Sequence, residues 1–289
     1  MLYDSLIAPF ADFAFMRRAL VGCLALSLGA APVGVFLMLR RMTLTGDAMA
    51  HAILPGAALG YLIAGLSVLA MTTGGLVAGL AVALLSGLVA RATVLREDAS
   101  LAVFYLISLS LGVLMISSRG TNVDLLHVLF GSVLALDDVA LWLIVSIASV
   151  STIGLAVIFR PLVLECMDPG FLRNVGGAST ATHMAFMALV VLNLVAGFHA
   201  LGTLLAVGLM ILPAATARFW TRNLTPMLGV AVLAGALSGL VGLLISYHAD
   251  TAAGPTVVLT LGGAYAFSLC LGPVGSLAAR WWPRHHLEA

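Results

Sequence analysis

In the run Thr45-Gly46-Asp47-Ala48-Met49-Ala50-His51-Ala52-Ile53-Leu54-Pro55-Gly56, an aspartate and a histidine stand four residues apart among small and apolar neighbours. On a helix that spacing places Asp47 and His51 on one face. A carboxylate near the centre of a membrane helix costs about 2.5–3.5 kcal/mol on insertion scales. No neighbour except His51 offers it a basic partner. Pro55 has no N–H to give the carbonyl four residues earlier, which is that of His51. The spacing therefore predicts a kinked helix with a free carbonyl beside an ionisable pair. Three chemistries suit such a pair. It could satisfy itself and fix packing, it could relay protons, or it could bind a metal through imidazole nitrogen and carboxylate oxygen. One helix offers two ligands, too few for a tetrahedral shell, whereas a two-fold dimer with this helix at its axis would offer four. Metal passage fits best, a relay next and packing last.

The elements that must hold this pair are set by composition. Of 289 residues, 62% are hydrophobic and 9% are charged, and mean hydropathy is +1.16. A soluble domain carries about 25% charged residues. So little charge cannot cover a water-solvated surface, and disorder needs the opposite composition. This is an all-α polytopic membrane protein. A spanning helix takes about 20 apolar residues, and the apolar stretches predict spans at 19–39, 44–64, 68–90, 99–118, 139–158, 182–198, 200–219, 226–247 and 255–276. The sixth and seventh are parted only by Gly197, Phe198 and His199, so the count is eight or nine. Alternating segments of the β-barrel kind are absent.

The thirteen basic residues are all arginine. A phosphate-binding loop of the G-x-x-x-x-G-K-[ST] form needs a lysine, so any ATP that drives this chain is bound by a partner. A net charge of +1 gives no case for nucleic acid. With nine spans and the N-terminus outside, ten arginines (Arg40, Arg41 and Arg96 among them) face the cytoplasm, and Arg17, Arg18 and Arg119 face outward, the bias that cytoplasmic loops show. Residues 3–16 read as an interfacial helix, and 1–18 as an interfacial segment of a single domain over 1–289. No cleavable leader is evident. Cys23, Cys166 and Cys270 are too scattered for a disulfide framework or a C-x-x-C site.

The longest polar connection is 159–181. Asp168 suits a helix N-cap, Pro169 its first position and Gly176 its end, which predicts a short helix at about 169–175. It is either an ordinary loop helix or a docking element for a cytoplasmic partner. His248 and Asp250 lie in the outer connection Ser246-Tyr247-His248-Ala249-Asp250, where a solvated loop is the default and a role in admitting metal the alternative. His127, His183 and His199 read as interfacial. Gly56/Gly60, Gly75/Gly79 and Gly235/Gly239 are small-x-x-x-small pairs that permit close helix contact.

The stretch Arg40-Arg41-Met42-Thr43-Leu44-Thr45-Gly46-Asp47-Ala48-Met49-Ala50-His51-Ala52-Ile53-Leu54-Pro55-Gly56 resembles the most specific motif of the membrane permease subunit of zinc and manganese ABC importers, LRR-M-S-L-x-G-D-A-x-x-H-A-x-L-P-G. Leu129-Phe130-Gly131-Ser132, the segment from Leu209 to Arg218 around Pro213-Ala214-Ala215, and the segment from Tyr247 to Thr256 resemble further motifs of that family in order, from residue 16 to about 275. Ser132 departs from the family's usual aspartate, so that position is given no role.

The resemblance implies a type II-like homodimeric permease in a bacterial cytoplasmic membrane. It also implies cytoplasmic ATP-binding subunits as partners and a periplasmic or lipid-anchored metal-binding protein as feeder. Zn2+ or Mn2+ would be the substrate and ATP would stay on the partner. Asp47 and His51 match the family's metal-coordinating positions. The region 165–177, with Glu165, Asp168, Arg173 and Gly176, matches its ATPase-coupling region. By affinity order zinc is favoured over manganese. Competing readings are a permease for an iron chelate or cobalamin, a proton-coupled carrier, and an intramembrane metal hydrolase. The last lacks a glutamate inside the spans.

Overall fold

Because lipid offers no hydrogen-bond partners, apolar stretches of this length must satisfy their backbone internally, and the chain folds into helices. The computed structural model describes residues 6–65, 67–117, 136–167 and 179–278. In chain order the helices are α1 Ala8–Asp12, α2 Ala14–Leu39, α3 Thr43–Ala52, α4 Leu54–Ala64, α5 Val68–Ala92, α6 Glu97–Ser117, α7 Asp138–Met167, α8 Ser179–Leu201, α9 Thr203–Arg218, α10 Leu224–Ala249 and α11 Ala253–Leu271. Among the described residues eight helical segments are long and apolar enough to span, α3 and α4 counting together as Thr43–Ala64. At 16 residues α9 is shorter, about 24 Å against a hydrocarbon core of about 30 Å. The break between α8 and α9 falls at Gly202, not at 197–199 as the sequence predicted. Gly202 has φ +85°, a conformation that glycine adopts without steric cost.

The core lies around α2 and α8. The former packs against α7, α8, α9 and α10, and the latter also against α3 and α5. Phe36, Phe186, Val190 and Leu194 are fully buried between them. Around this centre α5, α6, α7 and α11 turn large apolar side chains outward, such as Leu69, Leu106, Val157 and Leu259. Water would not solvate such faces, and lipid does. Close approach is provided by the glycine pairs singled out above. A Cβ at Gly56 would strike the Gly74 carbonyl across the α4–α5 contact, and Gly235 and Gly239 admit Ser27 and Cys23 of α2.

Two boundaries differ from expectation. The fifth span does not end at 158, since α7 runs on through Arg160 and Pro161 to Met167. Leu162 and Glu165 are buried against neighbouring helices, and that packing outweighs the breaking tendency of proline. At the N-terminus, among the described residues, the stretch predicted as one helix over 3–16 is divided at Phe13 into α1 and the start of α2. Arg17 and Arg18, two of the outward arginines, are both engaged. Arg17 Nη1 donates to the Ala11 carbonyl at 2.7 Å, closing the end of α1, and Arg18 pairs with Asp138 at 2.8 Å.

Candidate metal site

The helix that carries Asp47 and His51 begins at an unusual turn. Helix α2 ends with the Met42 N–H on the Leu37 carbonyl and the Arg41 N–H on the Met38 carbonyl. That is the double bond pattern of a Schellman stop. Its left-handed position is held by Arg41 at φ +58°, where glycine is usual. The turn sends α3 back beneath α9 and α6. At Ile53, which keeps helical dihedrals (φ −74°, ψ −26°), the span kinks and runs on as α4 with Pro55 in its first turn, the kink that the sequence predicted. The His51 carbonyl is not free as the sequence predicted, because the Ile53 N–H turns onto it. The neighbouring Ala52 carbonyl accepts Ser108 Oγ–H from α6 at 2.9 Å. Gly112, one turn further along α6, makes room for the Pro55 ring.

The predicted pair does meet. Asp47 Oδ1 lies 4.0 Å from His51 Nε2, with side chains 63% and 28% exposed. His51 Nδ1 is buried and has no hydrogen-bond partner. Both residues line a cavity of about 430 Å3 whose other walls are Thr203, Gly208 and Leu212 of α9 and Val258 of α11. Asp47 also borders a second cavity of about 440 Å3, shared with Asp98 and Tyr105 of α6. The site thus presents one exposed carboxylate and one imidazole with an unused nitrogen in an otherwise apolar cleft. Among the described residues no third His, Cys, Asp or Glu joins them as a ligand group. Two such donors would hold a divalent ion weakly, and among the described residues they fill neither a four- nor a six-coordinate shell.

The other predicted residues fall elsewhere. His248 is exposed in the last turn of α10 and not in a loop as the sequence predicted, Asp250 follows as the C-cap, and neither lines the Asp47–His51 cavity. Asp250 has φ +51°, and the turn is tied by the Thr251 N–H on the Ser246 carbonyl and by Ser246 Oγ–H on the Thr251 carbonyl. His248 packs edge-on against Tyr247. Asp168, Arg173, Gly176, His127 and the Leu129–Ser132 segment lie outside the described residues. Glu165, expected on a docking surface, is instead 6% exposed and faces Arg40 of α2, with Oε1 at 3.4 Å from Nη2. The packing of α7 beyond Pro161 is what carries it inside.

Sequence reasoning missed the group to which Glu165 belongs. His183 of α8, read as interfacial, is 3% exposed. Its Nδ1 accepts from Arg40 Nη2 at 2.7 Å, and its Nε2 lies 2.6 Å from Glu97 Oε1 of α6. The Arg40 guanidinium also lies over the Phe186 ring, 5.3 Å from its centroid. Arg40, Arg96, Glu97, Glu165, Ser179 and His183 line a cavity of about 630 Å3. A signal for His183 existed, since His183, Phe186, Val190, Asn193 and Gly197 share one helical stripe, and a stripe that apolar faces inward. Nothing local could have joined it to Arg40, 143 residues away.

The chain matches the ABC 3 transport family over residues 12–272. It is 32% identical over 272 residues to the manganese import system permease protein ScaB of Streptococcus parasanguinis, covering 93% of this chain and 96% of that one. It is 29% identical over 259 residues to the chelated iron transport system membrane protein YfeD of Yersinia pestis, covering 90% of this chain and 86% of that one. Among solved structures, PsaBC from Streptococcus pneumoniae in complex with Fab matches with a TM-score of 0.83 at 29% identity, covering 95% of this chain and 98% of that one.

Proposed function

The chain belongs to the ABC 3 transport family, and from that premise we propose that it is the permease of an ATP-driven importer for a divalent transition metal, manganese before zinc or iron. It is a multi-pass protein of the bacterial cytoplasmic membrane. The observation that carries the reading is the Asp47–His51 pair, a carboxylate and an imidazole whose Nδ1 is buried without a partner beside a cavity between helices. Carboxylate oxygen suits manganese, and imidazole suits several first-row metals. Affinity order alone favoured zinc. The manganese import named for the relative ScaB supports the other choice.

In this reading two copies bring their Asp47–His51 pairs together, so that four donors and water complete the shell of one ion. Ligation must offset dehydration yet release the ion inward, and two donors per chain suit that balance better than a closed cage. The kink at Ile53 and Pro55 lets α3 swing relative to α4, which suits alternating access. ATP is bound by separate cytoplasmic subunits, since the chain has no lysine for a phosphate loop. A metal-binding protein outside the membrane delivers the ion, and His248 and Asp250 stand exposed at the C-terminal end of α10, where the ion is received.

The test is uptake of radioactive manganese, zinc and iron into cells that express the permease with its ATPase and binding protein. Asp47→Ala and His51→Ala should each lose most manganese uptake at matched membrane levels, while the complex still assembles and hydrolyses ATP. Normal uptake by both variants would make the pair a packing contact. Uptake that follows an iron chelate and ignores both substitutions would favour the reading suggested by YfeD.

A further inference from the structure

The Arg40 cluster is an expensive arrangement for a membrane protein. Removing a carboxylate and a guanidinium from water costs several kcal/mol per ion, and the pair recovers that only if every lone pair and N–H is satisfied. Here two are not, because Glu165 Oε2 and Arg40 Nη1 are buried without partners. A contact that served only to hold α2, α6, α7 and α8 together would be better made of apolar side chains.

The geometry has another meaning. Arginine only donates, so the His183 nitrogen that meets Arg40 at 2.7 Å, Nδ1, is the bare one and points its lone pair at a cation. The opposite nitrogen then carries the hydrogen and donates it to Glu97 at 2.6 Å. A carboxylate that fixes one ring nitrogen while the other faces a cation is the arrangement found behind metal-bound histidines. Glu165 Oε1 converges on the same Arg40 Nη2, and its second oxygen is unused. The adjoining cavity of about 630 Å3 gives the guanidinium room to withdraw. A neighbouring cavity of about 690 Å3 runs from Glu165 and Cys166 to Asp98, which itself borders the space beside Asp47. Arg40, Arg41 and Arg96 mark this end of the bundle as the cytoplasmic one.

We propose that His183 Nδ1 and Glu165, with Glu97 orienting the imidazole, form a second, transient site for the transported divalent cation on its inward path, and that the Arg40 guanidinium occupies it as a tethered cation until displaced. The proposal rests on the divalent-metal reading above. Arg40 closes the site when no ion passes, and a passing ion gains ligands as Arg40 swings into the cavity. Because the guanidinium competes for the site, occupancy stays brief.

The test is Mn2+ binding to the intact permease–ATPase complex in lipid nanodiscs, counted per chain by titration and followed by electron paramagnetic resonance. Replacing Arg40 by methionine removes the competing charge and should raise the affinity of an additional Mn2+ equivalent by at least about tenfold. That Mn2+ should show nitrogen coupling, and both signals should vanish when His183→Asn or Glu165→Gln is added. A purely structural ion pair would give no gain on loss of Arg40, and the absence of an additional equivalent overturns the proposal. If Arg40→Met does not assemble, Arg40→Gln decides in the same way, since a neutral amide also removes the competing charge. Repeating the titration with Asp47→Ala and His51→Ala separates the two readings. Loss of the original equivalent judges the first site, and the equivalent that depends on Arg40 judges the second.

Discussion

Asp47 could be paired with His51 by reading alone because four residues on one helix fix their relation. Arg40, Glu97, Glu165 and His183 come from four helices, and no local rule brings them together. That difference decides how much of each site was legible: the first was visible as a motif, whereas Glu165 was read only as part of the ATPase-coupling region and His183 as interfacial. It also shapes a prediction about selectivity. The donors of the proposed first site are an oxygen and a nitrogen, which tolerate manganese, while thiolate sulfur selects softer ions such as zinc. His51→Cys should therefore lower manganese uptake and raise the ratio of zinc to manganese bound in competition. An unchanged ratio, measured by mass spectrometry of metal retained on the purified complex, would place selectivity outside this residue.

At the level of elements, spans were readable from apolar length, and their ends were not. Pro161 and Gly197 both look like breaks, yet α7 continues past the proline and α8 past the glycine, and the chain turns at Gly202 instead. Packing of Leu162 and Glu165 decided the first case, and the φ available to glycine the second. The start of α3 shows the reverse, a turn that an arginine makes against its own preference. A left-handed residue with a Cβ costs about 1–2 kcal/mol, so Arg41→Gly should stabilise the fold by about 1 kcal/mol, read as a higher midpoint of unfolding in detergent. A fall in that midpoint would mean that the Arg41 side chain holds the turn through contacts of its own. The glycine contacts give a sharper contrast. Gly56→Leu must part α4 from α5, since even a Cβ meets the Gly74 carbonyl, and should lower the yield of assembled protein severely. Gly229 in α10 has open space around it, and Gly229→Ala should be neutral or stabilising by up to about 1 kcal/mol. Similar behaviour in both variants would contradict the packing described for α4 and α5.

For the molecule as a whole, the described residues of one chain offer the proposed site two donors, Asp47 and His51. Asp47 is well exposed on the single chain, and on the proposal that it binds metal it should not be left to lipid. If two copies share the ion, their Asp47 oxygens both lie within bonding distance of it, about 2.2 Å, so the two Asp47 backbones must come close together. A residue of another helix, such as Ile153 of α7, which also faces outward, has no reason in this mechanism to meet its counterpart. With Cys23, Cys166 and Cys270 replaced, Asp47→Cys should therefore cross-link two permease chains in native membranes with a short bifunctional thiol reagent, and Ile153→Cys should not. Manganese supplied before the reagent cannot protect the cysteine variant through the lost carboxylate. It should, however, protect a neighbouring probe at Leu44→Cys, one turn away on the same exposed side of α3. Cross-linking at Ile153 but not at Asp47 would put α7 at the two-fold axis. Each Asp47–His51 pair would then have to complete its shell with water or with a residue of its own chain, and the shared-ion mechanism would fall.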